Sequence, residues 1–176
     1  IDGTVPFAHG LPISTFVIAL VIDGTPVLGV VYDPFLDRQF YAVAGYGAFM
    51  NALPIRVSTN ALKNSVVDAT GFSLSGNILR YNPNFIDNLH DQGSIVTTAW
   101  SSVITSMLVA NGQYVASLTS SPHPHDGAAS KIIVEEAGGK VTDLFGNEQR
   151  YDQPIKGVLV SNGVVHEQII HLLNKS

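Results

Sequence analysis

The sequence predicts a layered α/β protein, an antiparallel β-meander followed by a mixed sheet with helices. Three observations predict it. Two apolar, β-branched runs flank Asp23-Gly24, the dipeptide best suited to a two-residue hairpin because both turn positions need positive φ. From about residue 64, short apolar runs alternate with segments of helical spacing, the rhythm of an α/β chain. Finally, 45% of the 176 residues are hydrophobic, enough for one core or a little more.

The elements follow in order. Thr4 is placed to cap a helix of one or two turns over residues 5–9, with Pro6 tolerated in the first turn and Gly10 and Pro12 ending it. Residues 16–22 and 26–32 pair across the Asp23-Gly24 hairpin, and 38–43 make a third strand. The glycine-marked stretch 44–50 reads as a strand turn, since neither a third glycine nor a helix follows to make a nucleotide loop. Strands are then expected at 65–70, 94–97, 114–118, 140–143 and 157–161. Helices are expected to include 84–90, then 101–110 stopped by Asn111-Gly112, 127–137 stopped by Gly138-Gly139, and 164–173. A boundary near residue 60 divides a β-rich part, residues 1–60, from an α/β part, residues 61–176.

Charged residues make up 13% of the chain, about half the roughly 25% usual for a soluble domain. Such a surface is expected to be covered, by a partner subunit or by more of the same protein. The absence of cysteine excludes disulfides and thiolate zinc sites and leaves the redox compartment open. A net charge of −5 argues against nucleic acid as a partner. No apolar run reaches ~18 residues and no signal peptide is evident, so no membrane partner and a cytoplasmic location are expected. The chain opens without Met, in the middle of what looks like a motif, and reads as a piece of something longer; a proteolytic boundary accounts for this equally well.

The tetrapeptide Ile-Asp-Gly-Thr occurs twice, at Ile1 and at Ile22. The second copy is the hairpin, where Asp23 is a turn residue. The first precedes a helix start, whose free N–H groups at Gly3 and Thr4 suit an anion. An aspartate beside such amides repels phosphate unless a cation sits between them, and Mg²⁺ takes carboxylate and phosphate oxygens together. An Asp-Gly turn with a threonine cap accounts for the same four residues without any ligand. Asp126 repeats the situation before Gly127-Ala128-Ala129 and a helix whose inner stripe is Ala129, Ile132, Ile133 and Ala137. There too, a plain N-cap is the alternative.

Ile-Asp-Gly-Thr with a short helix, a β-meander and a distal His125-Asp126-Gly127-Ala128-Ala129 through Glu136-Ala137-Gly138-Gly139 resembles the inositol monophosphatase family of Mg²⁺-dependent, lithium-sensitive phosphatases. The resemblance runs the whole chain, including the stretch GVVYDPFLDRQFYAVAGYGAFMNALPIRVS. It implies the family's fold and a Mg²⁺-dependent phosphomonoesterase acting on a small polar phosphate, such as inositol monophosphate or a sugar phosphate. It implies further that Asp2 and Asp126 ligate metal, with Ile1 contributing its carbonyl. Gly3 and Thr4 would offer N–H groups to the phosphate, and the Thr4 hydroxyl would orient the attacking water, making Thr4 the catalytic residue.

The family's first motif is longer by two residues, Asp-Pro, and its metal set draws on that aspartate and on upstream acids, none of which lies in these 176 residues. The chain by itself is therefore expected to be nearly inactive. The alternative is a catalytically silent member or fragment that serves as a binding or oligomerisation module. Substrate-side positions also depart from the family. Its Gly-Ser/Thr-Ala turn aligns with Trp100-Ser101-Ser102, the preceding arginine with Thr97, an inositol-contacting glutamate with Thr119, and the tryptophan before the second aspartate with His125. Ser101, Ser102, Thr119 and His125 are thus the substrate-side candidates, with inositol itself in doubt and sugar phosphates, 3′-phosphoadenosine phosphate and histidinol phosphate open.

Other residues carry plainer expectations. His123 and His125 lack a third zinc partner at a recognisable spacing and read as loop histidines. Glu135-Glu136 reads as a solvated helix face and Trp100 as packing between helix and sheet. Asp33 and Asp68 read as an exposed-turn and a strand-end aspartate with no reason to meet the site. Family members usually form homodimers, so a homo-oligomer is expected, with a sticky edge at residues 16–50.

Overall fold

The computed structural model describes residues 1–70 and 84–174. The first sheet is antiparallel, five strands in the order β1 (Phe16–Ile22), β2 (Thr25–Asp33), β3 (Arg38–Val43), β4 (Ala48–Met50) and β5 (Leu53–Pro54). The hairpin between β1 and β2 closes as its sequence demands. Ile22 pairs with Thr25, and Asp23 and Gly24 both hold positive φ, 49° and 83°.

The second sheet is mixed, with strand order β7-β6-β8-β10-β9. β6 (Val66–Thr70) pairs in parallel with β7 (Ile95–Thr97) and with β8 (Ala116–Thr119). β10 (Val158–Ser161) runs antiparallel to both β8 and β9 (Lys140–Thr142). The helices are α1 (Thr4–Ala8), α2 (Phe85–Asp91), α3 (Ser102–Ala110), α4 (Ala128–Glu136) and α5 (His166–Asn174). The expected layered α/β fold is therefore present, with element ends displaced by one or two residues.

Strand alternation sorts the core into two clusters. In β10, Val158 and Val160 face the cluster shared with α3, α4 and the first sheet, whereas Leu159 faces α5 (Ile169, Leu173) and α2 (Phe85, Leu89). Helix α4 lies between the two sheets and buries the predicted stripe Ala129, Ile132, Ile133 and Ala137. Its approach to β2 is close enough to require glycine: a Cβ on Gly29 would lie 2.7 Å from Ile132 Cγ2 and 3.1 Å from the Ala129 carbonyl oxygen. The second alanine of the Asp-Gly-Ala-Ala run thus serves helix-to-sheet packing.

Three expectations fail at the level of packing. Asp33 is buried, not exposed: it accepts from the amides of Phe35 and Leu36 and from both Arg38 Nε (3.0 Å) and Nη2 (2.7 Å). Glu136 does not face solvent freely, because its carboxylate accepts the Gly45 and Gly47 amides at 2.7 Å each and so ties α4 to the glycine turn before β4. Trp100 does not fill the space between helix and sheet; it stands 39% exposed in a turn. On the outer face of the first sheet, Phe16, Ile18, Leu20 and Ile22 of β1 are each about half exposed. No helix among the described residues is long and apolar enough to cross a membrane.

Candidate metal and phosphate site

The site forms where β6, β7 and β8 end, at the carboxyl edge of the parallel strands, the usual ligand side of such sheets. Thr70 and Thr119 pair across β6 and β8 at that edge, and Thr97 ends β7. The loops that leave this edge carry Ser101 and Asp126.

Asp2 reaches the same place from the other end of the chain. Its backbone pairs with Thr15 through Asp2 N to Thr15 O (3.0 Å) and Thr15 N to Asp2 O (3.1 Å), an isolated bridge that fixes the entry to β1. Gly3 then turns the chain into α1 with φ 76°, and no other residue fits. A Cβ there would lie 2.5 Å from the Ile13 carbonyl oxygen and 3.1 Å from Ser101 Cβ. Gly3 therefore takes the N-cap position expected for Thr4, and Thr4 becomes the first helical residue, exposed. Ile1 is 70% exposed.

The Asp2 carboxylate is held from a distance. Its Oδ2 accepts the Ser101 hydroxyl (2.5 Å) and the Val103 amide (3.2 Å), so an aspartate from the first turn caps α3. Ser101, expected on the substrate side, has its hydroxyl on Asp2. Ser102 begins α3 as a buried residue whose carbonyl accepts the hydroxyls of Thr105 and Ser106. Burial pushes the Asp2 carboxyl above the usual carboxylate range. The Ser101 and Val103 bonds pull against it, the Asp126 charge pushes further up, and the Gly3 amide pulls down. Asp2 and Asp126 thus lie within electrostatic reach of one another.

Asp126 is not the N-cap of α4. Pro124 starts a single 3-10 turn, Pro124–Asp126, closed by Asp126 N to His123 O and Gly127 N to Pro124 O, 3.1 Å each, so Gly127 takes the cap position. The carboxylate is left to accept the Ser121 hydroxyl, a residue that sequence reasoning passed over. Thr119 Oγ1 accepts the Ser121 amide (3.3 Å) and so orders the start of that loop. His125 has its Nε2 3.6 Å from Asp126 Oδ1 and its ring stacked on His123, centroids 5.2 Å apart. It lines a groove of about 250 Å³ between β1 and the 3-10 turn.

Asp68, set aside as a strand-end residue, is fully buried directly behind the site. It accepts from Thr70 N and Oγ1, Thr97 Oγ1 and Ala99 N, a set that no local sequence signal announces.

The donor chemistry fits a hard divalent cation. Two carboxylates repel each other, each has one oxygen on a serine hydroxyl, and neither forms an ion pair with a lysine or arginine among the described residues. Carboxylate oxygens of this kind suit Mg²⁺ or Ca²⁺. Among the described residues no set of three or more His, Cys, Asp or Glu side chains converges to hold a metal.

Known proteins match this chain over nearly its whole length. A fructose-1,6-bisphosphatase/inositol-1-monophosphatase of Thermotoga maritima is 35% identical over 175 residues, covering 99% of this chain and 66% of the relative. A histidinol-phosphatase of Chlorobaculum parvum is 33% identical over 171 residues, covering 97% of this chain and 64% of that protein. Among solved structures, a Thermotoga maritima IMPase superposes with a TM-score of 0.85 at 34% identity, over 97% of this chain and 65% of that one. The chain therefore spans about two thirds of the length of these relatives. The profile of the inositol monophosphatase family matches residues 1–176, and the chain belongs to that family.

Proposed function

We propose that the chain carries the metal- and phosphate-binding half-site of a Mg²⁺-dependent phosphomonoesterase acting on a small polar phosphate ester. What supports this reading is that the buried Asp2 carboxyl feels the charge of Asp126, a residue far from it in sequence, and that Ser101 and Ser121 hold the two carboxylates. In it, Asp2, Asp126 and the Ile1 carbonyl hold the cation. When bound, Mg²⁺ lowers the pKa of a water and neutralises charge on the transferring phosphoryl group.

The rest falls to the protein's own groups. First-turn N–H groups of a helix lack intrahelical acceptors, so the Thr4 amide is available to a phosphate oxygen. Gly3, with no side chain, allows the ester to approach, although its own amide also faces the Asp2 carboxylate. The exposed Thr4 hydroxyl orients water. Ser121 and Ser101 hold the two carboxylates in place, while His125, Thr119 and Ser102 border the alcohol portion. Related proteins named as phosphatases of inositol phosphate and of histidinol phosphate support a phosphate monoester and leave the alcohol open.

Phosphate release from a panel of esters, with and without Mg²⁺, tests the reading. In the full-length protein, Mg²⁺-dependent turnover that disappears in Asp126→Asn is expected and metal-independent turnover sinks the reading; the 176 residues alone are expected to release almost no phosphate. A second reading, a catalytically silent binding module, draws on the pair of carboxylates standing without a third described acidic partner. It predicts cation and phosphate binding without release. The residues 1–60 and 61–176 are proposed as two domains, and the half-exposed apolar row on β1 supports self-association in a cytoplasmic protein. Sedimentation of the protein as dimer or higher oligomer is the expected result.

A further inference from the structure

Trp100 holds φ 58°, a left-handed conformation that bulky L residues avoid and glycine takes freely. Its side chain is not repaid by the core, since the residue remains 39% exposed. The turn is instead fastened on both sides. On one side Asp68 Oδ2 accepts Ala99 N (3.0 Å) and Thr97 Oγ1 (3.1 Å), while Oδ1 accepts Thr70 N (3.1 Å) and Thr70 Oγ1 (2.5 Å). The Trp100 amide itself donates to Thr70 Oγ1 at 3.3 Å. On the other side Ser101 is bonded to Asp2.

Asp68 is 0% exposed and has no ion pair among the described residues, a demanding situation for a carboxylate that the proposed chemistry does not use. Among the described residues its carboxylate bonds end on Thr70 of β6, on Thr97 at the end of β7 and on the turn that carries Trp100. Thr97 and Thr119 end β7 and β8 at the same edge and are short and neutral, so neither position offers a guanidinium or a carboxylate to a polyhydroxylated ring.

We propose that Trp100 is the specificity-determining residue of the site and that Asp68 is the positioning residue that holds it. The indole then flanks the leaving group of a phosphate ester whose alcohol portion is a flat aromatic or heteroaromatic ring. The inference rests on the reading of Asp2 and Asp126 as the cation-holding pair. A stacked aromatic contact changes affinity by about tenfold or less, which sets the size of the expected preference.

Trp100 is the only tryptophan of the chain, so its emission reports this turn directly. The test is a titration with phenyl phosphate and with glycerol 2-phosphate in the presence of Ca²⁺, followed by calorimetry and by emission. Phenyl phosphate is expected to bind several-fold to tenfold tighter and to change the emission. Trp100→Gly, which suits the left-handed turn and is expected to melt no lower than the native protein, should lose the preference; Trp100→Phe should keep most of it. Asp68→Asn, nearly isosteric, should shift the Trp100 emission and narrow the preference while changing Ca²⁺ affinity less than threefold. Equal affinity for the two esters, an unchanged preference in Trp100→Gly, or native emission in Asp68→Asn overturns the inference alone. If Ca²⁺ and both esters fail to bind, the reading of the site falls and this inference with it.

Discussion

The Ser101 hydroxyl donates to Asp2 Oδ2 at 2.5 Å across 99 positions of sequence, and the Val103 amide joins it on the same oxygen at 3.2 Å. A single carboxylate therefore caps α3 and stands ready for a cation. Hydrogen bonds to a charged group contribute about 1.5–3 kcal/mol. Ser101→Ala is predicted to weaken Mg²⁺ or Ca²⁺ binding by roughly tenfold, because Asp2 then loses the donor that stabilises its ionised form. Calorimetric titration checks it. Native affinity in the variant would remove Ser101 from the account.

The left-handed turn at Gly3 makes a second prediction. Gly3→Ala introduces a Cβ 2.5 Å from a backbone oxygen that cannot move without disturbing the Asp2–Thr15 bridge. A destabilisation of about 1–3 kcal/mol is expected in urea unfolding, together with loss of cation binding. Gly10, with φ 69° and open space around it, serves as the control, since alanine there meets no neighbour.

Stability in acid follows from His166. The ring is fully buried between Ser161 Oγ (2.7 Å to Nδ1) and Thr142 Oγ1 (3.0 Å to Nε2), and burial, helped by the Lys140 charge, lowers its pKa to about 4. Depression of a histidine pKa favours the neutral ring in the folded state. Its contribution is therefore complete above about pH 6.5, the unfolded value, and is lost as pH falls toward about 4. The full span corresponds to roughly 3 kcal/mol. Urea midpoints of the native protein should fall across this window, and those of His166→Gln should fall less; parallel curves would contradict the assignment.

The strands and the hairpin were legible because their signals are local: Asp23-Gly24 between two β-branched runs, and the stripe Ala129, Ile132, Ile133, Ala137 on α4. Asp2 and Asp126, proposed for the site, were recognisable as candidates, since short motifs mark them. What pins them was not. Ser121 on Asp126, Ser101 on Asp2 and the Asp68 cradle join residues that only the packed sheet brings together, and serine and threonine carry no local mark of such a role. The plain alternative for Asp126, a helix cap, fails because Pro124, two residues earlier, diverts the backbone into a 3-10 turn. Glu136 looked solvated because its partners, the Gly45 and Gly47 amides, lie 91 and 89 positions away.

The claim on which the functional reading turns is that one divalent cation is shared by Asp2 and Asp126, two acidic residues far apart in the sequence. Calorimetric Mg²⁺ titration of the native protein, Asp2→Asn and Asp126→Asn tests it most directly. The account predicts that each single variant loses at least about tenfold in affinity and that the double variant loses little more, as expected for two groups acting at one ion. Native affinity in either single variant, or independent additive losses from two separate sites, would contradict it.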